Sequence, residues 1–284
     1  MNKRDLFFTI MDTLRIPFRS KRLCRAKYEN KAQKHTISIL CTGPSMNDGV
    51  EELLAKNMLT DFFAVNDFAQ SELYKKTAPK YYVLLDPAYW VDNRDTNECD
   101  VIARNKTFSA INNLTTWDMT IYFPVEARNS KFIQEAITNN HVKVEPFNYF
   151  QFYPTKTEFY NYILENNWGC VPVGNVLGGA LYLSINMGYN EIYLFGVEHS
   201  WLKDVRVNNN NQVCTIKKHF YGEGELEPWM KSDGSCFKMF ELLDAISTHF
   251  KGYFFLDWYA KKHNVRILNC TEGSFIDSFE RVKV

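Results

Sequence analysis

The sequence predicts an α/β fold, a Rossmann-like, mostly parallel sheet flanked by helices. Three observations carry that reading. Short apolar runs rich in β-branched and aromatic residues recur, each closing on a polar residue, as strands buried on both faces do. Helical patterns alternate with them. No repeat or Pro/Gly/Ser-rich linker divides the 284 residues, and a hydrophobic fraction of 45% supplies one sizeable core. The chain therefore reads as a basic amphipathic segment at 1–34 followed by a single domain at 35–284.

The first segment holds ten Lys or Arg against Asp5, Asp12 and Glu29. The formal charge of the whole chain is zero, so the remainder is acidic. Its stretch "LFFTIMDTLRIPF" gathers Leu6, Phe7, Phe8, Ile10, Met11, Leu14, Ile16 and Phe18 into a greasy side suited to an anionic membrane surface. It is too short and too charged to span a bilayer, and it lacks the small-residue cleavage site of a signal peptide. Packing of this segment on its own domain or on a partner subunit is the alternative.

The core strands follow in order. "TISILC" (36–41) is β-branched and stops at a Gly-Pro turn. "DFFAVN" (61–66) and "KYYVLLD" (80–86) repeat the form, with "DGVEELLAKN" and "DFAQSELYKK" as helices between them. "MTIYFPV" (119–125) is a further strand. The clearest unit is "NVLGGALYLSINMGYNEIYLFGVEHSW": Asn175 as N-cap, an apolar helix, a stop at Gly188, then the strand "EIYLFGV". Gly178 and Gly179 would each cost an exposed helix about 1 kcal/mol, which points to close packing on a sheet or ligand. A long helical region from about 236 to 263, broken near Lys251-Gly252, leads into a last strand, "VRILNC".

Composition excludes several classes. Zero net charge gives no support for nucleic-acid binding. Seven scattered cysteines, odd in number and never spaced Cys-x-x-Cys, point to a reducing compartment and away from structural zinc. Serine-hydrolase, zinc-protease and kinase motifs are all missing.

In open parallel sheets ligands gather at the carboxyl ends of the strands. Four such ends are polar here. Thr42-Gly43-Pro44-Ser45 can offer backbone amides and a hydroxyl to a phosphate. Asn66 can donate and accept toward a base or sugar, and Asp67 follows it. Asp86, before Pro87, can bind a hydroxyl or metal, accept a proton, or cap the next helix. "GVEHSW" and "KHFYGEGE" supply His199, His219, Glu223 and Glu225 as candidate proton acceptors.

This order of "GPS", "VNDF", "DP", "GYNEIYLFGVEH" and a His-aromatic-x-Gly loop resembles the bacterial single-domain sialyltransferases of GT-A-variant fold. It is also similar to the related motility accessory factor and hydroxymethylpterin pyrophosphokinase-like proteins. The likeness covers about 36–280. It implies an inverting transferase that uses a CMP-linked nonulosonic acid, without metal or other cofactor, and builds a cell-surface glycan, lipopolysaccharide or capsule precursor. It implies that Thr42, Gly43, Pro44, Ser45 and Asn66 bind the donor and that Asp67 lies near the acceptor.

The departures are specific. Asp86 replaces the family's asparagine near the donor carboxylate, where two carboxylates would repel. Only Asn175 remains of an Arg-x-Thr-Ser segment. His199, Ser200 or Arg206 must serve for two phosphate-facing tyrosines. The family's His-Tyr-Ile-Gly-His falls on His219-Phe220-Tyr221-Gly222-Glu223, so Glu223 stands at the general base, with His219 in reserve and Tyr221 beside the acceptor. The resemblance implies as partners a nucleotide sugar and a glycan or glycolipid, in the cytoplasm or at the inner face of the membrane. A homo-oligomer is compatible with it. Two alternatives stay open: a metal-dependent pterin-type pyrophosphokinase with Asp86 on magnesium, and a non-catalytic nucleotide-sugar-binding assembly protein.

Overall fold

The computed structural model of the protein describes residues 6–7, 9–12, 14–15, 36–91, 98–149, 156–169, 173–216, 226–231 and 234–283. Its centre is a sheet of eight strands: β1 (Thr36–Leu40), β2 (Asp61–Val65), β3 (Tyr81–Val83), β4 (Met119–Pro124), β5 (Val142–Phe147), β6 (Glu191–Phe195), β10 (Arg266–Asn269) and β11 (Glu280–Arg281). They lie in the order β11-β10-β6-β1-β2-β3-β4-β5. Every neighbouring pair is parallel. The predicted α/β class is what the protein adopts.

Alternation along the central strands splits the core in two. Ile37, Ile39, Phe63, Val65 and Val83 face one side; Leu40, Ala64, Tyr82, Ile121 and Phe123 face the other. On the first side lie α5 (Glu158–Glu165), α6 (Val176–Asn186) and α7 (Met239–Lys262). The second side packs on α1 (Met46–Ala55), α2 (Leu73–Thr77), α3 (Glu98–Leu114) and α4 (Lys131–Ala136). The continuous apolar runs follow from this: a central strand covered on both faces has no solvent side.

The glycine pair of α6 has the packing role expected of it. A Cβ on Gly179 would stand 2.9 Å from Leu85 Cδ1, and one on Gly178 2.6 Å from the Val173 Cβ. The helix is therefore pressed against the sheet, buried from Leu177 through Ile185.

Some boundaries differ from expectation. The helix expected over 67–76 is not continuous: a 3₁₀ turn, Asn66–Gln70, is followed by α2. The break expected at Lys251-Gly252 is not there, and α7 runs unbroken for 24 residues. Gly252 is buried within it. Beyond the main sheet, β7 (Arg206–Val207), β8 (Val213–Ile216) and β9 (Leu226–Pro228) form a small antiparallel sheet. Val213 packs there with Leu242 and Ile246 of α7, against Trp201, Trp229 and Phe250.

Candidate functional site

The strand order fixes where a ligand belongs. From β1 the chain winds outward through β2, β3, β4 and β5, then returns to place β6 on the other side of β1. The chain leaving β1 leads to α1 on one face of the sheet and the chain leaving β6 leads to α7 on the other, and the crevice at that switch is the usual ligand position of such sheets. A cavity of about 310 Å³ lies there. Cys41 to Pro44 after β1, Val65 and Asn66 at the end of β2, Asn175 to Leu177 at the start of α6, and Gly196 and Glu198 to Trp201 after β6 line it. Larger hollows of about 480 and 620 Å³ lie along α7, beside the segments that follow β6 and β10, and along α3.

The β1 and β6 loops are tied together at the crevice. Cys41 N donates to Phe195 O at 2.9 Å, and Gly43 N to Gly196 O at 3.0 Å. Ser45 N donates to Glu198 Oε1 at 2.7 Å. The carboxylate thus takes an amide at the start of α1, where a negative group is favoured. Only glycine fits at 43, because a Cβ there would lie 1.7 Å from Glu198 Oε2 and 2.4 Å from Gly196 O. Burial, with the Glu198 charge second, pushes the Cys41 thiol up to about 12. Cys41 is consequently a packing residue, not a nucleophile.

Asn66 sits in the left-handed region at φ 48°, a conformation asparagine tolerates better than most residues. Tyr82 holds the turn: its hydroxyl donates to Asn66 O at 2.5 Å and accepts from Ala69 N at 2.9 Å. The side-chain oxygen of Asn66 is buried, and so is Glu198 Oε2; neither has a hydrogen-bond partner among the described residues. Both residues line the cavity, and buried acceptors without partners are costly unless a ligand or water reaches them with donors.

A second chain of contacts runs along the α6 side. Asn175 Oδ1 accepts from Gly178 N at 3.4 Å, which orients the amide, and Nδ2 donates to the Tyr253 hydroxyl at 2.8 Å. The Tyr253 hydroxyl also lies 3.3 Å from His199 Nδ1; with the hydroxyl donating, Nδ1 accepts and the proton of the neutral ring sits on Nε2. Burial, then the neighbouring His249, lowers the His199 pKa to about 4, so the ring is neutral near pH 7. His249 is itself lowered by burial.

The remaining sequence candidates separate. Thr42, Gly43, Pro44, Asn66, Asn175 and His199 line the cavity. Ser45 contributes its amide to Glu198. Asp67 turns away and accepts from Tyr89 at 2.8 Å and Thr107 at 2.6 Å. Asp86 is exposed and caps its turn by accepting from Ala88 N at 2.8 Å. Arg206 is exposed on β7 and donates to the Lys203 and Val205 carbonyls. His219, Tyr221 and Glu223, which fall between β8 and β9 in the sequence, lie outside the described residues, as does Glu225. Among the described residues no three His, Cys, Asp or Glu side chains converge as a metal site.

Sequence reading missed the part played by Glu198 and all of Tyr253. A glutamate three residues beyond a strand has no motif of its own; only its pairing across the crevice singles it out. No protein-family model, curated protein or solved structure matches the chain.

Proposed function

We propose that the chain is an inverting glycosyltransferase that takes a sugar from a nucleotide donor, a CMP-linked nonulosonic acid in the first instance. Its acceptor is a surface-glycan precursor, which places the reaction in the cytoplasm, at the inner face of the membrane where the acceptor is lipid-linked. The observation that carries the reading is that two residues lining the cavity at the switch point, Asn66 and Glu198, each hold a buried acceptor, Oδ1 and Oε2, with no partner among the described residues. A nucleoside supplies what they lack, through ribose hydroxyls or an exocyclic amine.

The phosphate belongs away from the Glu198 charge. The start of α6 offers backbone amides at a helix N-terminus, and His199 offers a neutral Nε2–H donor. In this mechanism Glu223 or His219 removes the acceptor proton, the acceptor oxygen attacks the anomeric carbon from the face opposite the nucleotide, and the departing phosphate takes up the bonding pair. Neutral donors serve it by being aimed where charge develops.

A thermal-shift series with CMP, CDP, UDP, GDP and ATP, each with and without magnesium, tests the reading. A CMP concentration one hundred times its Kd stabilises the native state by about 2.7 kcal/mol, a shift of several degrees. CMP should act without magnesium and lose its effect in Glu198→Gln. Stabilisation by ATP with magnesium alone would replace the reading with a pyrophosphokinase. Transfer that survives both Glu223→Gln and His219→Ala would remove the proposed bases.

A further inference from the structure

The leading helical residues, 6–7, 9–12 and 14–15, are arranged inside out. Asp12 is 2% exposed, and the Tyr160 hydroxyl of α5 donates to its Oδ2 at 2.6 Å. Arg15 Nη1 lies 3.7 Å from the other carboxylate oxygen. Leu6, Phe7, Ile10 and Leu14, by contrast, are 47%, 58%, 50% and 58% exposed. At 3.6 residues per turn these four fall on one stripe, and Asp12 lies on the far side. A helix that packs on its own domain normally does the reverse and buries its apolar stripe. Here the fold grips the polar side and holds the apolar side outward.

We infer that this stripe is a docking surface for an anionic lipid membrane. Charge selects that occupant. Residues 1–34 carry ten Lys or Arg against three acidic residues, so the apolar stripe belongs to a strongly basic stretch of sequence in an otherwise acidic chain. A second copy would bring two such stretches together and repel it. An anionic leaflet attracts the same charges, at about 1 kcal/mol for each Lys or Arg close to the surface. No described helix is long and apolar enough to cross a membrane, so the contact is interfacial. The burial of Asp12 gives the mode its orientation: α5 lies behind the helix and the lipid in front. This surface is independent of the transfer chemistry and holds whatever ligand the switch-point cavity takes.

The test is co-sedimentation of the full chain with phosphatidylcholine vesicles, with and without phosphatidylglycerol. The protein should sediment with the anionic vesicles alone, less as salt is raised. The triple variant Leu6→Ser/Ile10→Ser/Leu14→Ser should bind them at least tenfold more weakly while its unfolding midpoint stays that of the parent. Equal binding to neutral and anionic vesicles overturns the inference, as does equal binding by parent and variant. A lowered midpoint in the variant also overturns it, because the stripe would then be part of the fold. So does self-association in lipid-free buffer that the variant abolishes, which would assign the stripe to a second copy.

Discussion

Replacing Gly43 with alanine separates the two halves of the crevice in a calculable way. The added Cβ would stand 1.7 Å from Glu198 Oε2 and 2.4 Å from the Gly196 carbonyl oxygen. The first clash can be relieved by swinging the carboxylate, but that breaks its bond from Ser45 N. The second cannot, because Gly196 O is backbone and accepts from Gly43 N itself. Overpacking costs about 1–3 kcal/mol, and loss of a hydrogen bond to a charged group about 1.5–3 kcal/mol. Allowing for partial relaxation, Gly43→Ala should lose about 2–4 kcal/mol. At about 2–4 °C per kcal/mol for a chain somewhat shorter than this one, the midpoint should fall by roughly 5–10 °C. Thermal unfolding with and without CMP reads both consequences, since the displaced carboxylate should also weaken the nucleotide effect. Adding Glu198→Ala to the variant should restore part of the stability but not all, because the Gly196 contact persists. A single variant that melts within about a degree of the parent, with its CMP shift intact, would refute the tight crevice.

Two further outcomes follow from the site and its supports. The His199 pKa is lowered in the folded protein, so below about pH 6.5 the unfolded chain binds a proton that the native state does not, and stability falls as pH drops toward 4. The loss reaches at most about 3 kcal/mol, and His199→Asn should flatten it; urea midpoints from pH 7 to 4 that fall equally in both proteins would count against the buried neutral ring. Arg104, buried in α3, donates to Ala88 O at 2.6 Å and Val91 O at 2.9 Å, pinning the turn that Asp86 caps. Arg104→Met should cost about 3 kcal/mol in urea unfolding, with Arg104→Lys in between, because an ammonium keeps the charge but not the reach and geometry of the guanidinium nitrogen that makes both bonds.

Legibility followed burial. Strands β1, β2, β4, β6 and β10 were readable because most of their residues are covered, which leaves continuous apolar runs. The edge strand β5 was not: "VKVEPF" carries two charges, Lys143 and Glu145, and a proline, and only Phe147 is buried. Helix α3 was hidden for a different reason. Its buried face is Arg104, Thr107, Phe108 and Ile111, half of it polar, so the apolar period is diluted. At the site, position was readable and partnership was not. The strand-end rule picked out 42–45, 66 and 199, all of which meet at the crevice. It equally picked out Asp67 and Asp86, whose carboxylates are spent on Tyr89, Thr107 and Ala88, because a rule about strand ends cannot say which way a side chain turns.

The two outer strands give the sheet blunt ends. At one edge β5 presents Lys143 and Glu145, paired at 2.6 Å, and then Pro146, which has no amide to offer a further strand. At the other, β11 is two residues long, and its Glu280 is held by Arg266 at 3.1 Å. Charge, proline and brevity are the features that stop a parallel sheet from recruiting a neighbour's backbone. Copies of this chain crowded on a surface would therefore meet, at the described edges, a charged strand interrupted by proline and a strand of two residues, both poor partners for joining into one continuous sheet.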